Sequence, residues 1–413
     1  LDGVDFSSAT LEGMDLAGCV LNGLSLRGAK LARTSLTGCE LRESDFTGAV
    51  LEQVHLAGAK LSNTILRDAD LSSLDLKGID FSGSDLHGVR FSSADLQGAD
   101  FSNAVVTEAN FQDANLKETR FQGANLAGID FGGADISGLD FSGTVLEGAN
   151  LERCVMNGTN FTEARFKGAL FVPRDFINAR LRLADFSEMS LSGADFSELH
   201  LQEADFRDCD LTGARFYKTF LSNANFKGAC LDKAVFEEAN LVDVDFSSFE
   251  LKGVRFRKAF LHSADFSDAK VEGCNFQGAL LQGAHFDLRS FRNCILRGVN
   301  VSGGSLEGQE LSGMDLSGSD LSNCKLSGVN FQGTNLSGAN LQGACVEGAV
   351  FQGCSLAGLE LSGLDFTGQN LQGVDFTGAR LLNCVFTEAD LSQGDFSKAN
   401  LQSACFKGAN LDG

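Results

Sequence analysis

Large apolar residues recur along this chain at every fifth position. The series begins at Leu1, passes through Phe6 and Leu11, and reaches Leu411 without an insertion or a deletion. It contains 83 positions, here called centres, of which 45 are Leu, 32 are Phe and six are Val, Ile or Met. Because none of the centres is polar, a single five-residue repeat organises the whole chain.

A period of five fits neither common regular structure. On an α-helix, five residues turn the chain by about 500°, which would scatter the apolar residues around the cylinder. On a straight strand, an odd step alternates between the two faces. The pattern is satisfied if the chain turns a corner in every repeat. A chain that turns the same way each time must wind into a coil.

The residues around each centre predict which positions face inward. The residue two before a centre is mostly small, as in Ala94, Ala99 and Ala104, and it shares the inward face with the centre. The residue between them is often Asp or Asn and is predicted to point outward, where it can bond to the turn backbone. Of the 48 Gly, 45 lie two residues after a centre, where a tight corner favours glycine.

The repeat resembles that of the pentapeptide-repeat family. Its motif is a small residue, then Asp or Asn, then Leu or Phe, as in Ala99, Asp100 and Phe101. The resemblance extends over essentially the whole chain. It implies an all-β fold, a right-handed quadrilateral parallel β-helix with about 20 coils. Residues 1–413 are accordingly expected to form a single continuous pentapeptide-repeat β-solenoid.

The Phe centres change phase at two places, and a local bulge is predicted at each. Phe first occupies alternate centres with numbers ending in 1 and later those ending in 6. The bulges are expected near 171–176 and 286–292. At each one an Arg falls on an inward position: Arg174, beside the single proline Pro173, and Arg289. Because an unpaired guanidinium is unfavourable in an apolar core, the backbone should swing these side chains out.

The chain is strongly acidic, with a formal net charge of −22. This charge argues against direct binding to nucleic acid or to an anionic membrane. No apolar stretch approaches the length that crosses a bilayer, about 18 residues, so membrane insertion is not expected. Both ends read as ordinary repeats, and their exposed edges predict caps in missing segments or from a partner.

The 12 Cys are predicted to be small buried residues, since nine of them occupy inward positions. No CxxC pair or zinc spacing occurs. Reduced thiols favour a reducing compartment such as the cytoplasm. A processed organellar protein stays open, because the chain begins with Leu1. No catalytic triad, phosphate loop or carboxylate dyad stands out, so neither an enzyme nor a cofactor is expected.

Two functions fit these patterns. The first is a non-catalytic structural scaffold, a stiff acidic rod that docks onto a larger assembly through protein partners of unknown identity. The alternative, implied by the family resemblance, is a DNA-mimicking protein that binds the topoisomerase DNA gyrase and protects it from quinolones. The net charge of −22 permits the alternative, whereas a basic cluster on one side argues against it.

Docking is expected where the chain departs from its repeat, because identical coils offer a partner no register. Arg is also enriched at protein interfaces, and clustered cations on an acidic chain can orient an acidic partner. The candidate interaction residues are Arg174, Arg215, Lys218, Arg255, Arg257, Lys258, Arg289, Arg292 and Arg297.

Overall fold

The computed structural model describes residues 4–291 and 293–413. The chain divides into two compact units. The first consists of Leu1–Ser190 with Ala194–Cys209, and the second of Leu191–Gly193 with Asp210–Gly413. The single continuous solenoid over 1–413 stays a prediction.

Each unit is a parallel β-helix whose successive coils are 20 residues apart. In the first unit, parallel bridges run from Asp5↔Ser25 to Asp185↔Asp205. In the second, they run from Asp210↔Cys230 to Asp390↔Asn410. Twenty residues are four repeats, so the predicted right-handed quadrilateral β-helix is confirmed. The total of about 20 coils stays a prediction.

Longer regular elements are few in the described part of the chain. Strands β1 (Glu250–Lys252) and β2 (Lys270–Glu272) pair in parallel, with Leu251 opposite Val271. Two 3₁₀ helices span Pro173–Phe176 and Leu288–Ser290. Elsewhere the coils meet through single residue pairs, because each side of the coil is too short for a longer strand.

In the repeat around Asp100, every backbone N–H has a partner. The centre and the second corner residue bond to the next coil, while the outward residue bonds to the previous coil. A fourth bond closes the corner, and an outward Asp or Asn accepts the N–H of the first corner residue. In the repeat around Asp100, the donor–acceptor pairs are Phe101–Arg120 (2.7 Å), Gly98–Lys117 (2.8 Å), Asp100–Ile79 (2.9 Å), Ala99–Leu96 (2.9 Å) and Ser102 with the Asp100 Oδ1 (2.9 Å).

The core is built from the centres and the small residues two before them. In the first unit, the rings of Phe81, Phe101 and Phe121 stack one coil apart, with centroids 5.2 and 5.1 Å apart. In the second unit, Phe216 and Phe236 stack at 4.9 Å. The inward and outward assignments made from the sequence are therefore confirmed in the regular repeats.

A 3₁₀ helix, Pro173–Phe176, lies within 171–176, the range in which the sequence predicts a bulge. Pro173 is buried there, whereas Arg174 is exposed although the five-residue frame places it inward. The Arg174 guanidinium donates to the carbonyl of Ser197 at 2.8 Å. With this extra turn, Pro173 occupies the core in place of Arg174. The cost of burying an unpaired charge is thereby avoided.

The second departure from the repeat is the 3₁₀ helix Leu288–Ser290. Phe291 fills the core beside it and is 1% exposed. Gln309 approaches from an inward position, where its Oε1 accepts the N–H of Leu288 at 2.9 Å. An amide side chain therefore satisfies a backbone donor that the regular coil-to-coil ladder leaves without a partner.

Candidate protein-interaction surface

Outward side chains of the second unit line up in columns because the coils stack in register. One column, here called the basic column, contains Arg215, Val235 and Arg255, joined by consecutive parallel bridges. Arg215 and Arg255 are exposed, while Val235 between them is half-buried. Two of the predicted interaction residues therefore lie on one wall, two coils apart.

Four more predicted residues lie on the adjacent edge, here called the basic corner. It comprises the corner pairs 217–218, 237–238, 257–258, 277–278 and 297–298, and it carries Lys218, Arg257, Lys258 and Arg297. Backbone bonds hold the pairs one above another. The donor–acceptor pairs are Lys218–Glu237 (3.0 Å), Glu238–Arg257 (2.9 Å), Lys258–Gln277 (2.9 Å) and Gly278–Arg297 (2.9 Å).

Only part of this positive charge is neutralised within the unit. The Lys218 Nζ lies 3.8 Å from a Glu238 carboxylate oxygen, and the Arg297 Nε lies 3.9 Å from one of Asp315. Such exposed pairs contribute little, about 0–1 kcal/mol each. Within the residues that the structure describes, four cations of the surface form no ion pair: Arg215, Arg255, Arg257 and Lys258.

A shallow groove of about 290 Å³ runs along the basic corner, lined by Arg257, Lys258 and Arg297. The stem of Lys258 lies over Gly278, because a Cβ at that glycine would be 3.4 Å from the Lys258 Cγ. The groove therefore presents cationic heads above a floor of backbone and aliphatic stem.

The wall on the other side of the basic corner carries an apolar column that sequence reasoning missed. Phe220, Asn240, Phe260 and Leu280 are joined by consecutive bridges and form what is here called the aromatic column. Phe220 is 40% exposed and Phe260 is 44% exposed. The signal was present, because 32 of the 35 Phe are centres and these two are not.

The other predicted interaction residues are not part of this surface as described. Arg174 belongs to the first unit, where it bonds to the Ser197 carbonyl. The side chain of Arg289 and all of Arg292 lie outside the described residues. The structure thus brings together six of the nine candidates: Arg215, Lys218, Arg255, Arg257, Lys258 and Arg297.

The cysteines are all free thiols. Burial raises the pKa of the Cys154 thiol to about 12 and those of Cys209 and Cys324 to about 11. The thiol of Cys154 also donates to the Phe131 carbonyl at 3.1 Å. These groups have the properties of small core residues and not those of activated nucleophiles.

Metal-binding groups and membrane-spanning helices are both absent from the part of the chain that the structure describes. No three side chains of His, Cys, Asp or Glu are grouped so that they could hold a metal ion. No helix within 4–291 or 293–413 has the length and apolar character needed to cross a bilayer.

Sequence profiles of one repeat family match most of the chain. The profile described as pentapeptide repeats matches residues 1–38, 140–171, 175–208, 272–308, 315–353, 349–387 and 379–413. The profile described as a pentapeptide repeat region matches residues 55–131 and 199–286. No curated protein sequence matches the chain.

Solved structures of other proteins with this repeat are similar to parts of the chain. Trypsin-treated QnrB1, a plasmid-mediated fluoroquinolone resistance protein, is 17% identical, with a TM-score of 0.24, covering 41% of this chain and 91% of its own. HetL, involved in heterocyst differentiation regulation in Nostoc sp. strain PCC 7120, is 22% identical, with a TM-score of 0.15 and coverages of 71% and 92%. A pentapeptide-repeat protein from the Arabidopsis thaliana thylakoid lumen is 27% identical, with a TM-score of 0.13 and coverages of 32% and 64%. TM-scores this low support no argument from structural likeness.

Proposed function

Since the chain belongs to the pentapeptide-repeat family, we propose that it is a non-catalytic scaffold that docks onto a larger assembly through protein partners. The observation that carries this proposal is a cluster of cations without ion pairs in a chain of net charge −22. Arg215, Arg255, Arg257 and Lys258 lie on adjacent surfaces of one unit.

The fold supports such a role because it separates structural from surface residues. The regular repeats satisfy their backbone donors within and between coils, and the centres fill the core. Outward side chains are then free to vary without loss of the fold. Complementary charge at such positions gives a partner its orientation and speeds the encounter.

Charge reversal at Arg255, Arg257 and Lys258 together tests the docking role. The same corner already carries Glu237 and Glu238 one coil earlier, so glutamate is compatible with its backbone. We expect the triple variant to keep its circular dichroism spectrum and to lose most of the partner recovered by affinity purification from native extract.

The matched control reverses three lysines in the same unit, Lys325, Lys398 and Lys407, and makes the same change in net charge. Equal losses of the partner in both variants would show that the total charge matters and the cluster does not.

A second candidate is the topoisomerase-binding role, which the net charge of −22 permits. In that role the acidic surface would replace DNA on gyrase. A supercoiling assay with purified gyrase, with and without a quinolone, distinguishes the two functions. The scaffold proposal expects no effect of the added chain, whereas restored supercoiling in the presence of the drug would favour the alternative.

A further inference from the structure

Resting on the scaffold role, we infer that the aromatic column and the basic corner together form a docking site for an acidic segment of a partner protein. That segment inserts a bulky apolar side chain between Phe220 and Phe260 and places carboxylates against Arg257 and Lys258. The surface is therefore selective for apolar and acidic groups in combination.

The apolar half of the site consists of two exposed aromatic residues on one wall. Phe220 and Phe260 are joined through Asn240 by consecutive bridges, so they stand two coils apart, about 10 Å. The Asn240 Oδ1 accepts the N–H of Val242 at 3.2 Å. This bond holds the Asn240 side chain, which is shorter than Phe, close to the backbone. At this spacing, about twice that of adjacent coils, a partner side chain can lie over Asn240 between the two positions. Leu280 extends the apolar surface by a further coil.

The coil-to-coil backbone bonding does not require an aromatic residue at these positions. Asn240 and Asn300 occupy the same column and keep the same coil-to-coil bonding, because only the backbone takes part in it. Grouped aromatic exposure beside polar residues is typical of protein interaction sites. A partner that covers the rings would recover the free energy of removing their apolar surface from water.

The charged half of the site adjoins the apolar half directly. The basic corner lies at the edge of the same wall, since residues 257 and 258 precede Phe260 within one repeat. In the described part of the chain, neither Arg257 nor Lys258 forms an ion pair. Glu237 and Glu238 are the acidic residues of the corner, against four cations. A partner segment that carries a carboxylate next to an apolar side chain matches this arrangement: the carboxylate complements the cations, and the apolar side chain covers the aromatic residues.

Aromatic and cationic residues in proximity also suit single-stranded nucleic acid, which stacks its bases on rings. Two observations favour a protein segment instead. The chain has a net charge of −22, which opposes the binding of a polyanion. Glu237 and Glu238 interrupt the cations of the corner, which a continuous phosphate backbone would have to cross.

The test uses the full chain and a fluorescein-labelled synthetic peptide rich in Glu and Asp that carries Phe and Leu. A second peptide has Ser in place of the apolar residues, and a labelled oligothymidylate tests nucleic acid. Fluorescence anisotropy should show binding of the first peptide, and a loss of roughly tenfold or more with Ser, as expected when one buried apolar side chain is removed. No binding of the first peptide up to about 1 mM, or tighter binding of the oligonucleotide, overturns the proposal.

The double variant Phe220→Asn with Phe260→Asn should weaken binding of the first peptide by about tenfold or more. Asn is the residue that the column itself carries at position 240, so the fold should be kept, as circular dichroism would verify. The control is Val105→Asn with Val350→Asn, two outward positions that are each 41% exposed. An equal loss of binding in the control variant overturns the assignment of the site.

Sedimentation of the same proteins tests occupancy by a second copy. Self-association that disappears in the Phe220→Asn, Phe260→Asn variant would assign the column to a homo-oligomer and overturn the acidic-partner inference. The scaffold role is separable from it: if charge reversal abolishes partner recovery while the double Asn variant keeps both recovery and peptide binding, the scaffold stands and this inference fails.

Discussion

Two columns of outward residues, one in each unit, share the same backbone bonding but differ in chemical character: one is charged and the other largely apolar. In the first unit, Glu40, Lys60, Asp80, Asp100 and Arg120 follow one another at 20-residue steps. In the second, the aromatic column does so with Phe220, Asn240, Phe260 and Leu280. The backbone bonds are alike, since the N–H of Phe101 lies 2.7 Å from the Arg120 carbonyl and that of Leu241 lies 2.8 Å from the Phe260 carbonyl.

The difference lies in where each column finds its partners. In the charged column, side chains of successive coils form ion pairs: Lys60 lies 2.9 Å from Glu40, and Arg120 lies 2.7 Å from Asp100. The aromatic column keeps Phe260 at 44% exposure. The coil-to-coil bonding therefore requires no particular outward side chain, whereas the core requires the inward ones. An outward column that leaves apolar surface exposed is where a partner is expected.

Thiol reactivity should show the largest contrast between inward and outward positions. Burial raises the pKa of Cys154 to about 12, whereas the backbone N–H of Lys407 holds the pKa of the exposed Cys405 below its usual value. The thiolate is the reactive form, so at pH 8 the exposed Cys405 should be modified much faster than Cys154, whose thiol is both buried and protonated.

Mass spectrometry of the labelled protein after a short exposure to a thiol reagent measures this difference. Modification is expected at the three exposed cysteines, Cys230, Cys345 and Cys405. Labelling of Cys154 at a similar rate in the folded protein would contradict the inward assignment.

Core truncation should have the largest effect on stability. Leu241 is a centre with 0% exposure, and its change to Ala should lower the free energy of unfolding by about 2–5 kcal/mol through lost burial and an unfilled cavity. Urea denaturation followed by circular dichroism measures the change. Ser247→Ala, at a corner in the next repeat, is the control and should cost less than about 0.5 kcal/mol; equal losses would refute the distinction.

The outward Asp residues that accept a corner N–H should have a smaller, pH-dependent effect. Asp135 accepts the N–H of Ser137 at 3.0 Å, and its Ala variant should lose roughly 0.5–1.5 kcal/mol at neutral pH. The hydroxyl and the N–H of Ser137 lower the pKa of Asp135 from 3.8. A lowered folded-state pKa contributes stability above the unfolded pKa and loses it as the pH falls through the folded value.

The Asp135→Asn variant separates the hydrogen bond from the charge. Asn keeps the acceptor, as Asn125 does for the Ala127 N–H at 3.2 Å, but it does not titrate. Its stability at pH 7 should stay near that of the parent, and its loss below about pH 4 should be smaller. An unchanged acid profile in urea melts from pH 6 to pH 2 would disprove the contribution of this carboxylate.

Exchange of outward residues between the two columns should have the smallest effect. Phe260→Asn and Asp80→Asn should each change the free energy of unfolding by no more than about 0.5 kcal/mol, because neither side chain enters the core. Urea melts of the two variants, with Leu241→Ala as the positive control, measure this. A loss above about 2 kcal/mol in either would show that the outward column supports the fold after all.

The sequence by itself determined the repeat and its polarity. Every centre is apolar and most outward residues are polar. Phe101 and Ala99 could therefore be assigned to the core, and Asp100 to the turn, from the sequence alone. The free, mostly buried cysteines follow from the same frame, because a thiol fits wherever the repeat needs a small side chain. Even the bulge at Arg174 could be predicted, since an unpaired guanidinium is excluded from an apolar core.

Only the tertiary structure decided which residues meet. A period of five sets the corner but not how many corners close a coil, and that number depends on backbone angles that the residue pattern does not contain. Once bridges join residues 20 apart, Phe220 and Phe260 become neighbours on one wall, with Arg257 and Lys258 on its edge. The bonds from Arg174 to the Ser197 carbonyl and from Leu288 to Gln309 likewise depend on the neighbouring coils, because each joins residues more than 20 positions apart in sequence.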